Sequence, residues 1–194
     1  MGTLDNFEWY QYIGDKPTAW QGHLLWAYSE VPKINPEVIV ELGVHWGHSL
    51  FMMAESCQDA GMDTKIYGID HWQGDEHAGE FTDEVYDTAK ECAKLYPNVK
   101  LIKKTFNEAW EDWEQDIDLL HIDGRHLYED IEEDFTNWYP HVKDGGYVWL
   151  HDTQVRERNF GIRKYFKELQ RIYPEWEFSE RFESNGLGKI RIHR

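Results

Sequence analysis

The chain has 194 residues, of which 41% are hydrophobic, and a formal net charge of −17. This length and apolar content predict a single domain over residues 1–194, with residues 1–32 as an N-terminal arm and lid helix. The negative charge argues against nucleic-acid partners and anionic membranes, which attract clustered Lys and Arg. No apolar run reaches the roughly 20 residues that a membrane span needs, so no membrane insertion is expected.

The cysteines and the N-terminus indicate the cellular compartment. Cys57 and Cys92 each fall on a helical apolar stripe, which predicts buried thiols rather than a disulfide. The first 16 residues lack a basic start followed by an apolar stretch, so no secretory signal is expected. These features together predict a cytoplasmic protein.

Strand-like and helix-like patterns alternate along most of the chain. A leading helix is expected at about residues 18–30, and amphipathic stripes beginning at Leu127 and Ile162 predict two later helices. Apolar runs predict parallel strands at 38–42, 65–70, 99–103, 117–122 and 146–151. This alternation is typical of an α/β, doubly wound sheet with helices on both faces.

The pattern changes after Pro174. Residues 176–182 and 187–192 are extended segments separated by Ser184-Asn185-Gly186, which is a strong hairpin signal. The parallel sheet is therefore expected to end in an antiparallel pair.

The stretch VIVELGVHWGHS at residues 38–49 predicts a cofactor-binding loop. A buried strand ends there, and Gly43 and Gly47 then allow the backbone to approach a ligand closely. A second strand ends in Asp70, 27 residues after Gly43, which is about where a doubly wound fold places the acid that holds a ribose.

The same loop argues against a dinucleotide cofactor. His45 and Trp46 fill the space between the glycines, so the chain lacks the GxGxxG in which bare backbone meets a pyrophosphate. A cofactor without phosphates tolerates such side chains. S-adenosylmethionine (SAM) is a cofactor of this kind.

Polar side chains follow two further strands. Asp123 and His126 come after the strand at 117–122, and His151 and Asp152 end the next. Because the carboxyl ends of parallel strands meet at one edge, these side chains are expected to converge with Asp70 in a single crevice. Any one of them alone would suit a cap or a satisfied polar group, whereas their convergence favours a functional site.

Five stretches carry a family resemblance. VIVELGVHWGHS resembles the first motif of catechol-type O-methyltransferases. IDLLHIDGRHLYEDIEEDFTNWYPHVKDGGYVWLHDT resembles the signature of the class I SAM-dependent methyltransferases that include macrolide-sugar and rhamnosyl O-methyltransferases. DHWQGDEHAG, HDTQVRERNFG and NGLG look like a bacterial subgroup often joined to glycosyltransferases in polysaccharide assembly. The resemblance runs from about residue 18 to the C-terminus and implies a Rossmann-like, mostly parallel seven-stranded sheet with a C-terminal hairpin.

The resemblance also implies cofactor contacts. Asp70 matches the ligand of the ribose diol, with His71 and Trp72 beside the sugar and the adenine. Thr105 and Phe106 occupy the usual place of the adenine ring, although ordinary core packing stays open for Phe106. The residues expected around the methionine half of SAM are Glu41, Gly43, His45, Gly47 and Ser49, and Asp123 is expected to contact the cofactor as well.

The resemblance leaves metal dependence open. Acids matching Asp123 and Asp152 bind a divalent ion in the metal-dependent members, and carboxylate oxygens suit Mg²⁺. Where catechol-type enzymes have Asn this chain has Thr153, and where macrolide-sugar enzymes have an acid it has His151. His151 is thus the expected third ligand, and Mn²⁺, which tolerates nitrogen, is an alternative ion.

The catalytic residues are also implied by the resemblance. His126 matches the general base, and an imidazole is able to accept the proton of an attacking hydroxyl near neutral pH. Asp123 and His151 complete the expected catalytic set.

Three other groups have two interpretations each. The insertion Trp72-Gln73-Gly74-Asp75-Glu76-His77 either overhangs the crevice and grips a sugar or forms a solvated turn. A group near the N-terminus either forms a lid or simply packs under an N-terminal arm; its members are Tyr10, Tyr12, Trp20, Gln21 and His23. A basic cluster either is solvated or contacts an anionic acceptor; its members are Arg156, Arg158, Arg163 and Lys164.

These features predict a SAM-dependent O-methyltransferase acting on a hydroxyl of a sugar or other polyol-bearing acceptor, with divalent-metal assistance open. One alternative is a non-catalytic SAM-binding or partner-binding module of a polysaccharide-assembly system. The other, an NAD-dependent oxidoreductase, is disfavoured by the missing GxGxxG and by the hairpin. Formation of a homo-oligomer and association with glycosyltransferases also stay open.

Overall fold

The computed structural model describes residues 3–75, 78–157 and 159–194. Single-turn 3₁₀ helices lie at Leu4–Asn6 and Tyr139–His141. The α-helices are α1 (Tyr10–Ile13), α2 (Leu24–Ile34), α3 (His48–Asp59), α4 (Asp83–Ala93), α5 (Phe106–Glu111), α6 (Tyr128–Trp138) and α7 (Ile162–Ile172). The strands are β1 (Val38–Leu42), β2 (Lys65–Asp70), β3 (Gly74–Asp75), β4 (Gly79–Glu80), β5 (Val99–Lys103), β6 (Ile117–Ile122), β7 (Val142–His151), β8 (Glu177–Arg181) and β9 (Leu187–Arg191).

Seven strands form one sheet in the order β5-β2-β1-β6-β7-β9-β8, and β3 pairs with β4 in a small separate ribbon. Strand β9 runs antiparallel to both of its neighbours, whereas the pairings of β5, β2, β1, β6 and β7 are parallel. The predicted fold class, a mostly parallel seven-stranded sheet with a terminal antiparallel hairpin, is confirmed.

The strand register brings the functional segments to one level. Leu42 pairs with Ile69 on one side and with Ile122 on the other, and Ile122 in turn pairs with Leu150. The residues that follow these positions therefore emerge side by side at the carboxyl edge. The strand order reverses about β1, and such a switch point opens a crevice for a ligand.

The core lies on both faces of the sheet. Successive side chains of a strand point to opposite faces, so Ile39 packs with the α3 residue Phe51 on one side. Its neighbour Val40 packs with the α6 residue Phe135 on the other side. All five residues of β1 are buried, which explains why its sequence is a continuous apolar run broken only by Glu41.

The predicted leading helix is wrong at both ends, since α2 covers Leu24–Ile34 rather than 18–30. Residues 18–23 turn towards the crevice instead. The helix continues past Pro32, whose nitrogen has no hydrogen to give the Tyr28 carbonyl. The Ser56 hydroxyl donates to that carbonyl at 2.6 Å, so the partner missing from the backbone is supplied by α3.

The other expectations for the fold hold with small changes. Strands β1, β2, β5 and β6 have the predicted bounds. Strand β7 begins four residues earlier than predicted, with an irregular register where Gly145 adopts φ +78°. Cys57 and Cys92 are buried free thiols, as predicted. Among the described residues, no helix has both the length and the apolarity to span a bilayer.

Candidate active site

A cavity of about 740 Å³ opens at the carboxyl edge of the sheet. This volume is within the usual range for a site that holds a cofactor or a drug-sized ligand. The segments after β1, β2, β5, β6 and β7 all contribute to its wall, and residues 17–20 close it from the N-terminal side. The crevice expected from the converging strand ends is therefore present.

The loop after β1 requires glycine at its first position. Gly43 has φ +92°, and a Cβ placed there would lie 2.0 Å from the carbonyl oxygen of Asp123. The loops after β1 and β6 are thus in direct backbone contact. His45 has φ +53° and stacks on Phe81, with ring centroids 4.6 Å apart. The backbone conformation of this loop is unusual for a residue with a side chain, and both rings line the cavity.

Asp70 holds that loop in place. Its Oδ2 accepts hydrogen bonds from the backbone N–H groups of Val44 and His45, each at 3.0 Å, and its Oδ1 accepts from the N–H of Trp72 at 2.7 Å. Since a carboxylate has about four acceptor positions, one on Oδ1 stays available for a ribose hydroxyl. Asp70 and the neighbouring His71 both line the cavity.

Some residues that were expected around the cofactor lie behind the residues that line the cavity, rather than in the lining itself. Glu41 is fully buried and lies outside the cavity lining, where it accepts from the Ser49 hydroxyl and lies 2.9 Å from Nδ1 of His121. Gly47 is the N-cap residue of α3. The Trp72 indole donates a hydrogen bond to the His45 carbonyl at 2.9 Å. Ser49 itself does line the cavity.

The expected adenine region lies after β5. Thr105 caps α5 through a reciprocal capping box with Glu108, and Phe106 follows directly. Both line the cavity. A Cβ on Gly124 would lie 2.4 Å from the Phe106 ring, so this aromatic ring packs against bare backbone of the loop after β6.

Asp123, His126 and Asp152 form the polar centre of the cavity. Their ligand atoms all lie within 4.8 Å of one another. Nε2 of His126 is 2.9 Å from Oδ2 of Asp152, and its ring stacks on Phe160 with centroids 4.3 Å apart. Burial lowers the pKa of His126, but the Asp152 carboxylate outweighs burial and raises that pKa above its ordinary value.

His151 has a different role from the predicted one. Its Nε2 is 3.0 Å from the Ser184 carbonyl oxygen and its Nδ1 is 3.1 Å from Oδ1 of Asp123. Both nitrogens face acceptors, which suits a doubly protonated ring. Burial opposes this charge, yet Asp123 and Asp152 hold the pKa of His151 well above its ordinary value. Both nitrogens of His151 are thus engaged, and His126 takes the position of third metal-ligand candidate.

The residues of the cluster fit a divalent ion. Oδ1 of Asp152 is buried without a hydrogen-bond partner among the described residues, as a carboxylate oxygen reserved for a cation would be. Asp152 also has φ +62°, an unusual conformation that aims its side chain. Thr153 does not complete the set, because its hydroxyl packs against the turn at Gly186. Two carboxylates and one imidazole suit Mn²⁺ as well as Mg²⁺.

Of the five residues that were expected to form a lid, Trp20 alone lines the cavity. The Trp20 indole donates to Oδ2 of Asp123 at 3.0 Å. His23 is fully buried behind it, and burial lowers the pKa of His23 to about 4. Tyr12 is 44% exposed on the surface. The lid interpretation therefore applies to Trp20, while Tyr10, Tyr12, Gln21 and His23 lie outside the lining.

The insertion and the basic cluster differ in position. Gly74, Asp75 and Ala78 line the cavity, which agrees with an overhanging loop, whereas Glu76 and His77 lie outside the described residues. The three described members of the basic cluster lie away from the lining, and Arg158 lies outside the described residues. Those three members are Arg156, Arg163 and Lys164.

Sequence reasoning missed several residues of the lining. Phe160 belongs to the stretch HDTQVRERNFG, which the family resemblance includes without assigning this residue a role, and only the fold brings it onto His126. Asn107, Asp130, Glu133 and Asp134 also line the cavity. The last three belong to an acidic run that resembles a solvated helix face. A sequence signal existed for Asp134, because it falls three residues after Ile131 and one before Phe135, on the apolar stripe of α6.

Comparison with known proteins agrees with this geometry. Residues 40–153 match the family described as a methyltransferase domain. The uncharacterized protein y4gI of Sinorhizobium fredii (strain NBRC 101917 / NGR234) is 39% identical over 178 residues, which is 91% of this chain. The chain spans 19% of the length of that relative.

Three solved structures share the fold at low identity. The O-methyltransferase TomG from Streptomyces achromogenes, in complex with SAM, matches with a TM-score of 0.67 and 13% identity, over 89% of this chain and 80% of that one. SAH-bound PaMTH1 from Podospora anserina matches with a TM-score of 0.63 and 16% identity, over 98% of this chain and 84% of that one. An O-methyltransferase from Bacillus cereus in complex with SAH matches with a TM-score of 0.64 and 14% identity, over 89% of this chain and 81% of that one. Because the family match covers more than half of the chain and includes the whole polar centre of the cavity, the chain belongs to the methyltransferase domain family.

Proposed function

We propose that the protein is a SAM-dependent O-methyltransferase that acts on a hydroxyl group of a sugar or similar polyol. The observation that carries the proposal is one cavity that joins two features. The glycine turn and Asp70 are placed to hold a nucleoside, and the cluster of Asp123, His126 and Asp152 is placed to handle a hydroxyl proton. Solved relatives of the fold that bind SAM or SAH support this choice of cofactor.

The chain supplies a base for the reaction. An alcohol becomes a good nucleophile as its proton leaves, and His126 lines the cavity where it is able to take that proton. The Asp152 carboxylate beside it stabilises the imidazolium that forms. Bound SAM would supply the methyl group to this oxygen, with its positively charged sulfur as the leaving group. The remaining contribution is alignment of oxygen, carbon and sulfur.

A divalent ion fits the same cluster. Asp123, His126 and Asp152 would hold it, and when bound it would lower the pKa of the acceptor hydroxyl. An imidazole that binds the ion is unable to take the proton at the same nitrogen. His126 therefore acts either as a ligand or as a base. If it is a ligand, chelation of the metal is expected to stop methyl transfer; if it is the base, methyl transfer is expected to persist.

The charge of the cavity favours an uncharged acceptor. Seven carboxyl groups line the described part of the wall, namely Asp70, Asp75, Asp123, Asp130, Glu133, Asp134 and Asp152. Arg125 is the one Arg or Lys among the described lining residues, and it lies 3.5 Å from Asp130. A phosphate group on the acceptor would be repelled by these carboxylates, whereas sugar hydroxyls donate to such oxygens. The open alternative of an anionic acceptor is thus disfavoured.

Two measurements test the proposal. SAH at 100 times its dissociation constant stabilises a protein by about 2.7 kcal/mol, so SAH is expected to raise the melting temperature where NADH does not. Labelled SAM is then supplied with a panel of neutral glycosides, with a 14-dalton gain expected on one of them. His126→Ala is expected to bind SAH normally and to lose methyl transfer. A stabilising effect of NADH alone would support the oxidoreductase instead.

The non-catalytic module remains a distinct alternative, and it is compatible with association with glycosyltransferases. It predicts SAH binding without methyl transfer to any acceptor, and no change on His126 substitution. The cluster of two acids and an imidazole favours the enzyme, because simple packing does not require buried carboxylates. A cytoplasmic location and self-association are, like the sugar or polyol acceptor, part of this proposal.

A further inference from the structure

One carboxyl group of the cavity has no role in the chemistry above. Asp134 lies on α6, is 7% exposed and lines the cavity. No hydrogen bond from a described residue contributes to its ionisation. Burial and the neighbouring charges of Asp130 and Glu133 raise the pKa of Asp134 to about 8. At neutral pH its carboxyl group therefore has both a donor and an acceptor to offer.

The position of Asp134 indicates what it meets. Oδ2 of Asp134 is 3.4 Å from the place where a Cβ on Gly124 would lie, and the Phe106 ring is 2.4 Å from the same place. The three residues therefore enclose one end of the cavity, next to the segment after β5. An aromatic face beside a donor and acceptor pair matches a flat heterocycle with a polar edge.

We propose that Asp134 recognises the amino edge of the adenine ring of the cofactor. Its carboxyl group accepts a hydrogen bond from the 6-amino group and donates one to a ring nitrogen beside that group, either N1 or N7. This inference rests on the proposed function, since it places the nucleoside of SAM between Asp70 and Phe106. A buried acid without a partner costs free energy in the empty protein. The ligand edge would supply the missing partner, so Asp134 is a specificity-determining residue for adenine.

The test asks whether the loss of the Asp134 side chain and the loss of one ring nitrogen of the ligand affect the same interaction. Binding of SAH is measured by calorimetry, together with two SAH analogues in which N1 or N7 of the adenine is replaced by CH. In the wild type one of the replacements is expected to weaken binding about tenfold, the effect of one good hydrogen bond. In Asp134→Ala, SAH itself is expected to bind about tenfold more weakly, and the same replacement has no further effect.

Two variants make the result specific. Asp134→Asn keeps a donor and an acceptor, and it is expected to bind SAH within about threefold of the wild type and to retain the analogue penalty. Glu129→Gln, an exposed acid of α6 away from the cavity, is expected to change nothing. If Asp134→Ala does not fold, Asp134→Leu, of similar volume, replaces it.

Two outcomes overturn the inference. Equal SAH affinity of wild type and Asp134→Ala does so, and so does an analogue penalty that persists undiminished in that variant. Either result leaves SAH binding, and with it the proposed function, intact. Failure of the wild type to bind SAH refutes the proposed function and this inference together.

Discussion

Trp20 and Asp123 are 103 positions apart in sequence, yet the Trp20 indole donates a hydrogen bond to Oδ2 of Asp123 at 3.0 Å. The other oxygen of the same carboxylate lies 3.1 Å from Nδ1 of His151. The N-terminal segment and the end of β7 therefore fix the orientation of one carboxylate from two sides. This relationship makes Trp20 a positioning residue for the polar centre.

Trp20→Phe is expected to lower kcat/KM for methyl transfer about tenfold, because the ring volume is kept and one hydrogen bond to a charged group is lost. SAH affinity should stay within about threefold. Trp110→Phe, a change at an exposed residue outside the cavity, is the matched control. Equal activity of the two variants would remove Trp20 from the mechanism.

Gly43→Ala is expected to destabilise the protein by more than about 2 kcal/mol, since a Cβ would lie 2.0 Å from a backbone oxygen. Gly61 has φ +65° with nothing within 4 Å of a Cβ. Gly61→Ala should therefore cost about 1 kcal/mol, the conformational part alone. Urea unfolding of both variants separates the clash from the backbone strain, and equal losses would contradict the close contact.

Asp70→Asn is expected to weaken SAH binding at least tenfold. Its carboxylate accepts three backbone N–H groups, and an amide turns one acceptor oxygen into a donor that faces them. The loop around His45 would then lose its support as well as the ribose contact. Asp63→Asn, at an exposed acid, controls for charge. Calorimetry with SAH measures the effect, and unchanged affinity would exclude Asp70 from the site.

His48 is expected to contribute a loss of stability on mild acidification, whereas Asp134, with its raised pKa, contributes in the opposite sense over the same pH range. Burial lowers the pKa of His48 to about 4, while its Nε2 lies 2.9 Å from the Ile13 carbonyl oxygen. In the unfolded chain the ordinary value of about 6.5 applies. Between these values the unfolded state binds a proton at His48 that the folded state does not, so the contribution of His48 to stability drops as pH falls from about 6.5 to about 4.

His48→Asn should flatten this dependence by up to about 1.4 kcal/mol per pH unit, the effect of one proton. Urea unfolding at several pH values measures the slope. His23, whose pKa burial also lowers to about 4, contributes in the same sense as His48 in both proteins and therefore cancels in the comparison. An identical slope in wild type and variant would show that His48 is not the group responsible.

Mn²⁺ is expected to raise the melting temperature of the wild type if the polar centre binds a metal ion. Asp152→Asn should abolish the shift, because the variant loses an oxygen that is buried without a partner among the described residues. His151→Gln should retain the metal shift, since both ring nitrogens are engaged elsewhere. A shift that depends on His151 rather than on His126 would restore the ligand set expected from the sequence.

The sequence by itself determined the strands and the places where they end. Apolar runs identify β1, β2, β5 and β6 to the residue. The reason is clearest for β1, whose five residues are all buried, because a strand buried on both faces tolerates little else. Parallel pairing then requires Gly43, Asp70 and Asp123 to emerge at one edge. The hairpin turn was visible as Ser184-Asn185-Gly186, all three of which adopt positive φ.

The tertiary structure decided which side chains of that edge meet. Local patterns have no information on contacts between segments that are distant in sequence, so Trp20 over Asp123 and Phe160 over His126 were not predictable. The same holds for the two histidines of the site. Both lie at strand ends, but the hairpin brings the Ser184 carbonyl to one nitrogen of His151 and Asp123 faces the other, which leaves His126 at the centre of the cavity.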